Sequence, residues 1–132
     1  MAESFNFELV SPERLLLSEA ASEVILPGAD GEMTVMANHA PVMTTIKPGI
    51  VEVKSAEGGS NRYVVFGGFA DILPEGCTVL AESAVHVDEI DHEDIAQRIQ
   101  NTREDLQDAT DDAEKARISE KLDHLTTLQS AV

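Results

Sequence analysis

The chain is poor in everything that usually marks a catalytic or nucleic-acid-binding protein. Among its 132 residues there is no tryptophan, one tyrosine and four phenylalanines. Any core must therefore be filled by Val, Ile, Leu, Ala and Met. Cys77 is the sole cysteine, which excludes an internal disulfide and fits a reducing compartment. Basic residues are scarce, with nine Lys and Arg against 25 Asp and Glu and a formal charge of −16. Such a surface repels nucleic-acid phosphates and anionic lipid, and no basic patch offsets it, so nucleic acid is not an expected partner. No apolar run approaches the roughly 20 residues that span a bilayer. The opening MAESFNFELV is acidic and alternating. It lacks the regions of a signal peptide and the Arg/Ser bias of a transit peptide, which predicts a mature start in a cytoplasm-like space.

Reaction motifs are missing too. In the stretch LPGADGEMTVMANHAP, Leu26 to Pro41, Gly28 and Gly31 flank Ala29 and Asp30. A phosphate cradle would run into a helix, or carry Gly-Lys-Ser/Thr. Here strand-like EMTVM follows, so the glycines read as a hairpin turn around Ala29-Asp30. Asp30, Glu32 and His39 are close in sequence, but no His-x-His or His-x-x-x-His pair accompanies them and no metal is expected. The other histidines, His86, His92 and His124, fall outside the main predicted strands. Cys77 stands at a strand entry between Gly76 and Thr78, with no activating neighbour, and reads as structural. No Gly-x-Ser-x-Gly elbow occurs, and no carboxylate pair stands out for acid–base work.

What is present is a change of period. Hydrophobic residues make up 42% of the chain, enough for one domain or a small domain with an appendage. Phe5, Phe7 and Leu9 alternate with Asn6 and Glu8 as in a half-buried strand. Short apolar segments follow at Leu15–Leu17, Val24–Leu26, Met33–Met36, Val42–Ile46, Ile50–Val53, Tyr63–Phe66, Phe69–Leu73 and Thr78–Ala81. Turn residues punctuate them, among them Lys47-Pro48-Gly49 and Pro74-Glu75-Gly76. Gly67-Gly68, inside an apolar run, predicts a bulge or a close backbone approach. From Ile90 onward there is neither glycine nor proline. Ile95, Ile99, Thr102 and Leu106 form a helical stripe, and Ile118, Leu122, Leu125 and Leu128 form a second. Asp91 and Asp111 are predicted N-caps around a turn at Ala109–Asp112. The fold class is mainly β with an α appendage. An N-terminal β-sandwich over residues 1–88 precedes an antiparallel αα-hairpin over residues 89–132.

Taken together, LPGADGEMTVMANHAPVMTTIKPGIVEV, Leu26 to Val53, resembles the signature of the epsilon subunit of rotary F-type ATP synthases. The matching features are Gly31-Glu32, His39-Ala40-Pro41, Thr45 and Pro48-Gly49. The opening FNFELVSPERLLLS, the Gly-Gly strand VVFGGFADI and the exit TVLAESAVHVDEID are similar to the family's segments in the same order. The resemblance implies a non-catalytic central-stalk subunit that couples proton flow through the c ring to ATP synthesis by the alpha/beta hexamer. Its partners would be the gamma subunit and the c-subunit ring, with the hexamer reached through the hairpin, and its membrane association would be indirect. The place would be peripheral, on the cytoplasmic face of a bacterial inner membrane. By position, Gly31 and Glu32 match the loop facing the c ring, and His39, Ala40 and Pro41 match the segment near the gamma and c-ring junction. Some relatives bind ATP through Ile/Leu-Asp-x-x-Arg-Ala. Here Ile90, Asp91, Asp94 and Ile95 stand at that motif, and Asp94 replaces the arginine, so no nucleotide cofactor is expected. Residues 88–132 carry 13 acids and 5 bases, the wrong sign for an inhibitory contact with an acidic beta-subunit segment. The hairpin is therefore expected to be structural or weakly inhibitory. The alternatives are a stand-alone nucleotide-binding regulatory β-sandwich and a β-sandwich enzyme or metal protein.

Overall fold

Alternation decides which face of each strand is buried, and the alternating residues of the first 87 positions converge on one core. The computed structural model describes residues 3–132. The chain forms β1 (Phe5–Val10), β2 (Leu15–Gly28), β3 (Gly31–Val35), β4 (Val42–Ser55), β5 (Ser60–Leu73), β6 (Gly76–Ala81) and β7 (Ala84–His86). A short 3-10 turn, Val87–Glu89, precedes α1 (His92–Asp108) and α2 (Asp112–Ala131). Two compact units result, Met1–Val87 and Asp88–Val132.

The strands of the first unit run in the order β1-β6-β5-β4-β2-β3, and β1 also pairs with β2. This closes the sheet into a flattened barrel and leaves few open edges. The β1–β6 pair is parallel and the other pairs are antiparallel. Phe7, Leu9, Val24, Leu26, Val51, Val53 and Ile72 are fully enclosed. Each such side chain contributes about 1.5–3 kcal/mol when buried.

The apolar segments separated by turn signals join into longer strands than the sequence predicts. Leu15–Leu17 and Val24–Leu26 lie on one 14-residue strand. Val42–Ile46 and Ile50–Val53 share another of 14 residues, so Lys47-Pro48-Gly49 is a bend within β4 and not a turn. Tyr63–Phe66 and Phe69–Leu73 are likewise continuous through Gly67-Gly68. The physical reason is the ladder with β5. It passes through Pro48↔Phe66 and Gly49↔Val65 without a change of register and overrides the local turn propensity. On the other edge of β4 the register against β2 does shift, between Ile25 and Gly28. Proline, which cannot donate there, sits where that second ladder is interrupted.

Gly28, the last residue of β2, pairs with Ile46, and Ile46 pairs with Gly68, so the end of β2 and the Gly-Gly pair of β5 flank the bend of β4. Gly67 and Gly68 have φ of 109° and 143°, in the region that favours glycine. A Cβ at Gly68 would stand 2.1 Å from the Leu80 carbonyl oxygen, and one at Gly49 would stand 2.7 Å from the Pro27 Cβ. The Gly-Gly pair is thus a close backbone approach, as its flanking residues suggest.

The second unit is a helical hairpin. Asp91 caps α1 by accepting from the Glu93 N–H at 2.9 Å, and Asp111 caps α2 by accepting from the Glu114 N–H at 3.2 Å. Ile95, Ile99 and Thr102 of α1 and Leu125 and Leu128 of α2 are buried, while Leu106, Ile118 and Leu122 are half-buried. These are the residues of the two predicted stripes.

Substituting Gly68→Ala is expected to cost about 3 kcal/mol or more, because backbone strain and the Leu80 contact add. Gly58→Ala is the control. Its φ is 109° but nothing lies within 4 Å of the added methyl, so only about 1 kcal/mol is expected. Urea denaturation midpoints of the two variants check the difference.

Candidate functional site

The β2–β3 hairpin ends in the turn residues Ala29 and Asp30, and Gly28 faces Gly31 across the base. A Cβ at Gly28 would meet the Gly31 carbonyl oxygen at 2.8 Å, so the tip closes only with glycine. The Ala29 N–H donates to the Thr45 carbonyl at 2.9 Å, tying the tip to β4. Glu32, just inside the tip, is exposed.

His39, Ala40 and Pro41 precede β4. Asn38 holds the segment with φ of 64°, a backbone N–H to the Pro74 carbonyl at 3.0 Å, and a side-chain amide donating to the Glu3 carboxylate. His39 is half-buried, and its Nδ1 donates to the Ala40 carbonyl at 2.8 Å. Ala40 and Pro41 are exposed. The Gly31 tip lies beside Ile46 and the His39 segment leads into Val42. The two elements therefore mark opposite ends of β4's first half, about 13 Å apart at the usual strand rise. Asp30, Glu32 and His39 do not converge. Among the described residues no three histidine, cysteine or acidic side chains gather as metal ligands would.

Between these two elements lies a feature that alternation alone does not reveal. Cross-strand partners share a face, and on the outer face of the barrel a row runs Thr45, Phe69, Leu80, Val10, Leu15 across β4, β5, β6, β1 and β2. Met43 lies diagonal to Phe69, opposite Asp71. Phe69 is 57% exposed, Leu80 48%, Leu15 53% and Met43 73%. A contiguous row of large apolar side chains left in water signals an interaction surface. Each is an ordinary strand residue in sequence, and only the register makes them neighbours.

Cys77 opens β6, 2% exposed, and desolvation followed by the nearby Asp71 charge pushes its thiol up to about 12. It is a neutral packing group at physiological pH. At the nucleotide-motif positions, Ile95 is buried, Asp91 is occupied as the α1 cap, and Asp94 pairs with the Arg98 guanidinium at 3.0 Å. All three side chains have roles in the helix itself.

The fold and the exposed row define a class: a closed β-sandwich followed by a helical hairpin, with an exposed apolar row on the outer strands. Residues 4–87 match the family model of the ATP synthase delta/epsilon chain β-sandwich domain. Over 132 residues the chain is 64% identical to the ATP synthase epsilon chain of Mesorhizobium japonicum and 62% to that of Rhizobium meliloti. Each comparison covers 100% of this chain and 98% of the relative. A chain in the cryo-EM structure of the Euglena gracilis mitochondrial ATP synthase superposes with a TM-score of 0.75 at 28% identity, covering 97% of this chain and 81% of that one. The chain belongs to the ATP synthase epsilon chain family.

The Cys77 environment sets an alkaline stability limit. Between 9.0, the ordinary thiol value, and about 12 the unfolded chain releases this proton and the folded chain keeps it. Stability contributed below that window is lost as pH rises through it, at about 1.4 kcal/mol per pH unit. Denaturation of the wild type and of Cys77→Ala from pH 8 to pH 11 is expected to show the extra slope in the wild type alone.

Proposed function

We propose that this chain is a non-catalytic rotor subunit of a proton-translocating F-type ATP synthase, joining the gamma subunit to the c ring and carrying torque toward the alpha/beta hexamer. The observation that carries this reading is the exposed apolar row on a closed, glycine-pinned sandwich, in a chain of epsilon-family sequence from end to end. A torque-bearing adaptor must be stiff, and a barrel with paired strands and tight bends resists shear better than a lone helix. The kinship over the full length weighs against a stand-alone nucleotide-binding regulator.

In this reading Phe69, Leu80 and Met43 supply affinity for gamma through buried apolar contact. His39, Ala40 and Pro41 border that face near the junction of gamma with the ring. Gly31 and Glu32 present a rigid tip to the polar loops of the c subunits. An ion pair at so exposed a carboxylate is worth roughly 0–1 kcal/mol and sets register more than affinity. Membrane attachment is indirect, on the cytoplasmic face of a bacterial inner membrane. No helix among the described residues is long and apolar enough to cross a membrane.

The hairpin is proposed to be structural, or at most weakly inhibitory. Its balance of 13 acids to 5 bases opposes docking on an acidic partner. Arg98, one of those five bases, is engaged by Asp94.

Pull-down of the tagged chain from its own membranes in mild detergent is expected to recover gamma, c, alpha and beta subunits together. Recovery of the chain alone beside an intact synthase would end this reading. The double variant Phe69→Glu/Leu80→Glu is expected to weaken gamma binding at least about tenfold, while Glu32→Ala stays within about fivefold, by titration. Removal of residues 88–132 is expected to leave ATP hydrolysis of the reassembled complex within about twofold. A several-fold rise would assign the hairpin a real inhibitory role.

A further inference from the structure

The apolar row is bracketed by acid on both sides. One pairing step along the strands from Phe69 and Leu80 lie Asp71, opposite Thr78, and Glu8, which also faces Thr78. On the other side, the turn after β1 brings Glu13 and Arg14 against Glu82 and Ser83, together with Ser11, around a depression of about 190 Å³. Glu82 follows β6 directly and is held by its N–H to the Gly67 carbonyl at 3.0 Å. Among the described residues, none of Glu8, Asp71, Glu13 and Glu82 has an ion-pair partner. Four carboxylates thus flank the row, and on the Glu13–Glu82 side they are interspersed with Arg14 and with Lys47, one step along β4 from Thr45.

An acid-fringed apolar strip restricts what covers it. A second copy of this chain would bring like charges together along both borders, in a molecule of formal charge −16. Juxtaposed like charges at an interface are costly, and the penalty rises as water leaves. An anionic lipid surface is excluded on the same ground. Charge complementarity instead selects a protein surface built as an apolar ridge with basic residues along both sides.

We infer that the gamma surface seated on this face carries two basic tracks that meet Glu8 and Asp71 on one side of the row and Glu13 and Glu82 on the other, so that charge steers the encounter while the row holds the complex. This rests on gamma being the partner proposed above, and it adds the electrostatic character of that partner's surface and a division of labour between rim and row. Rim charges act mainly on the association rate and its salt dependence. Buried apolar anchors act on dissociation.

The test uses the full chain and an alpha–beta–gamma complex from the same organism, with association and dissociation rates followed by stopped-flow fluorescence at 20 and 300 mM salt. The wild-type association rate is expected to fall at least about tenfold over that range. At 20 mM salt each rim pair, Glu8→Gln/Asp71→Asn and Glu13→Gln/Glu82→Gln, is expected to slow association at least about threefold and to leave dissociation within about twofold. Glu52→Gln/Glu57→Gln, beyond the bend of β4, removes the same charge away from the row and is expected to change association by less than about 1.5-fold. Phe69→Ser is expected to speed dissociation at least about tenfold with little effect on association. Salt-independent association, or equal effects of rim and control pairs, would overturn the two-track inference while leaving gamma as the partner. Absence of wild-type binding at any salt would overturn both.

Discussion

The close passage of the Gly67-Gly68 backbone beneath Leu80 is the contact on which the rest of this molecule depends. With a Cβ at Gly68 the approach to the Leu80 carbonyl would be 2.1 Å, so β5 and β6 can lie together there only without a side chain. That approach lets β5 pass from β7 to β6 without breaking its ladder with β4. Two of the three 14-residue strands change partner along their length, β2 passing from β1 to β3 and β5 from β7 to β6. A chain of modest length builds a closed barrel in this way, its core aliphatic apart from Phe5 and Phe7 and without tryptophan.

The same geometry creates the exposed apolar row. Along β5, Val65, Ala70 and Ile72 enter the barrel core while Phe69, Asp71 and Leu73 remain outside. The outer residues of β4, β5, β6, β1 and β2 then align in one row, and the β2–β3 tip is tied to the same region through Ala29 and Thr45. A stiff sandwich, an apolar row, an acidic border and a glycine-closed tip together suit an adaptor that must hold one partner firmly and meet another in fixed register. The hairpin follows a different logic. Its caps and buried stripes account for its helicity, and its charges face water, where one sign dominates.

Much of this was legible in the residues. Alternation at Phe5, Phe7 and Leu9, and the stripes at Ile95–Leu106 and Ile118–Leu128, specify their elements because burial on one face is a local matter of period. Asp91 and Asp111 announce helix starts because capping is satisfied within three residues. Lys47-Pro48-Gly49 misleads because turn propensity is also local, whereas the β5 ladder that straightens its register is formed with residues about 20 positions away.

By itself the sequence determined the class of the two halves, the excess of acid, the hairpin turn at Ala29-Asp30 and the family signature from Leu26 to Val53. These depend on period, composition and short-range chemistry. Only the tertiary structure decided that Phe69, Leu80, Val10 and Leu15 are neighbours, that the Gly31 tip and the His39 segment stand at opposite ends of one strand segment, and that Cys77 is sealed into the core. Those facts depend on strand register and closure, which are set by pairings between distant residues and by one backbone contact too close for any residue but glycine.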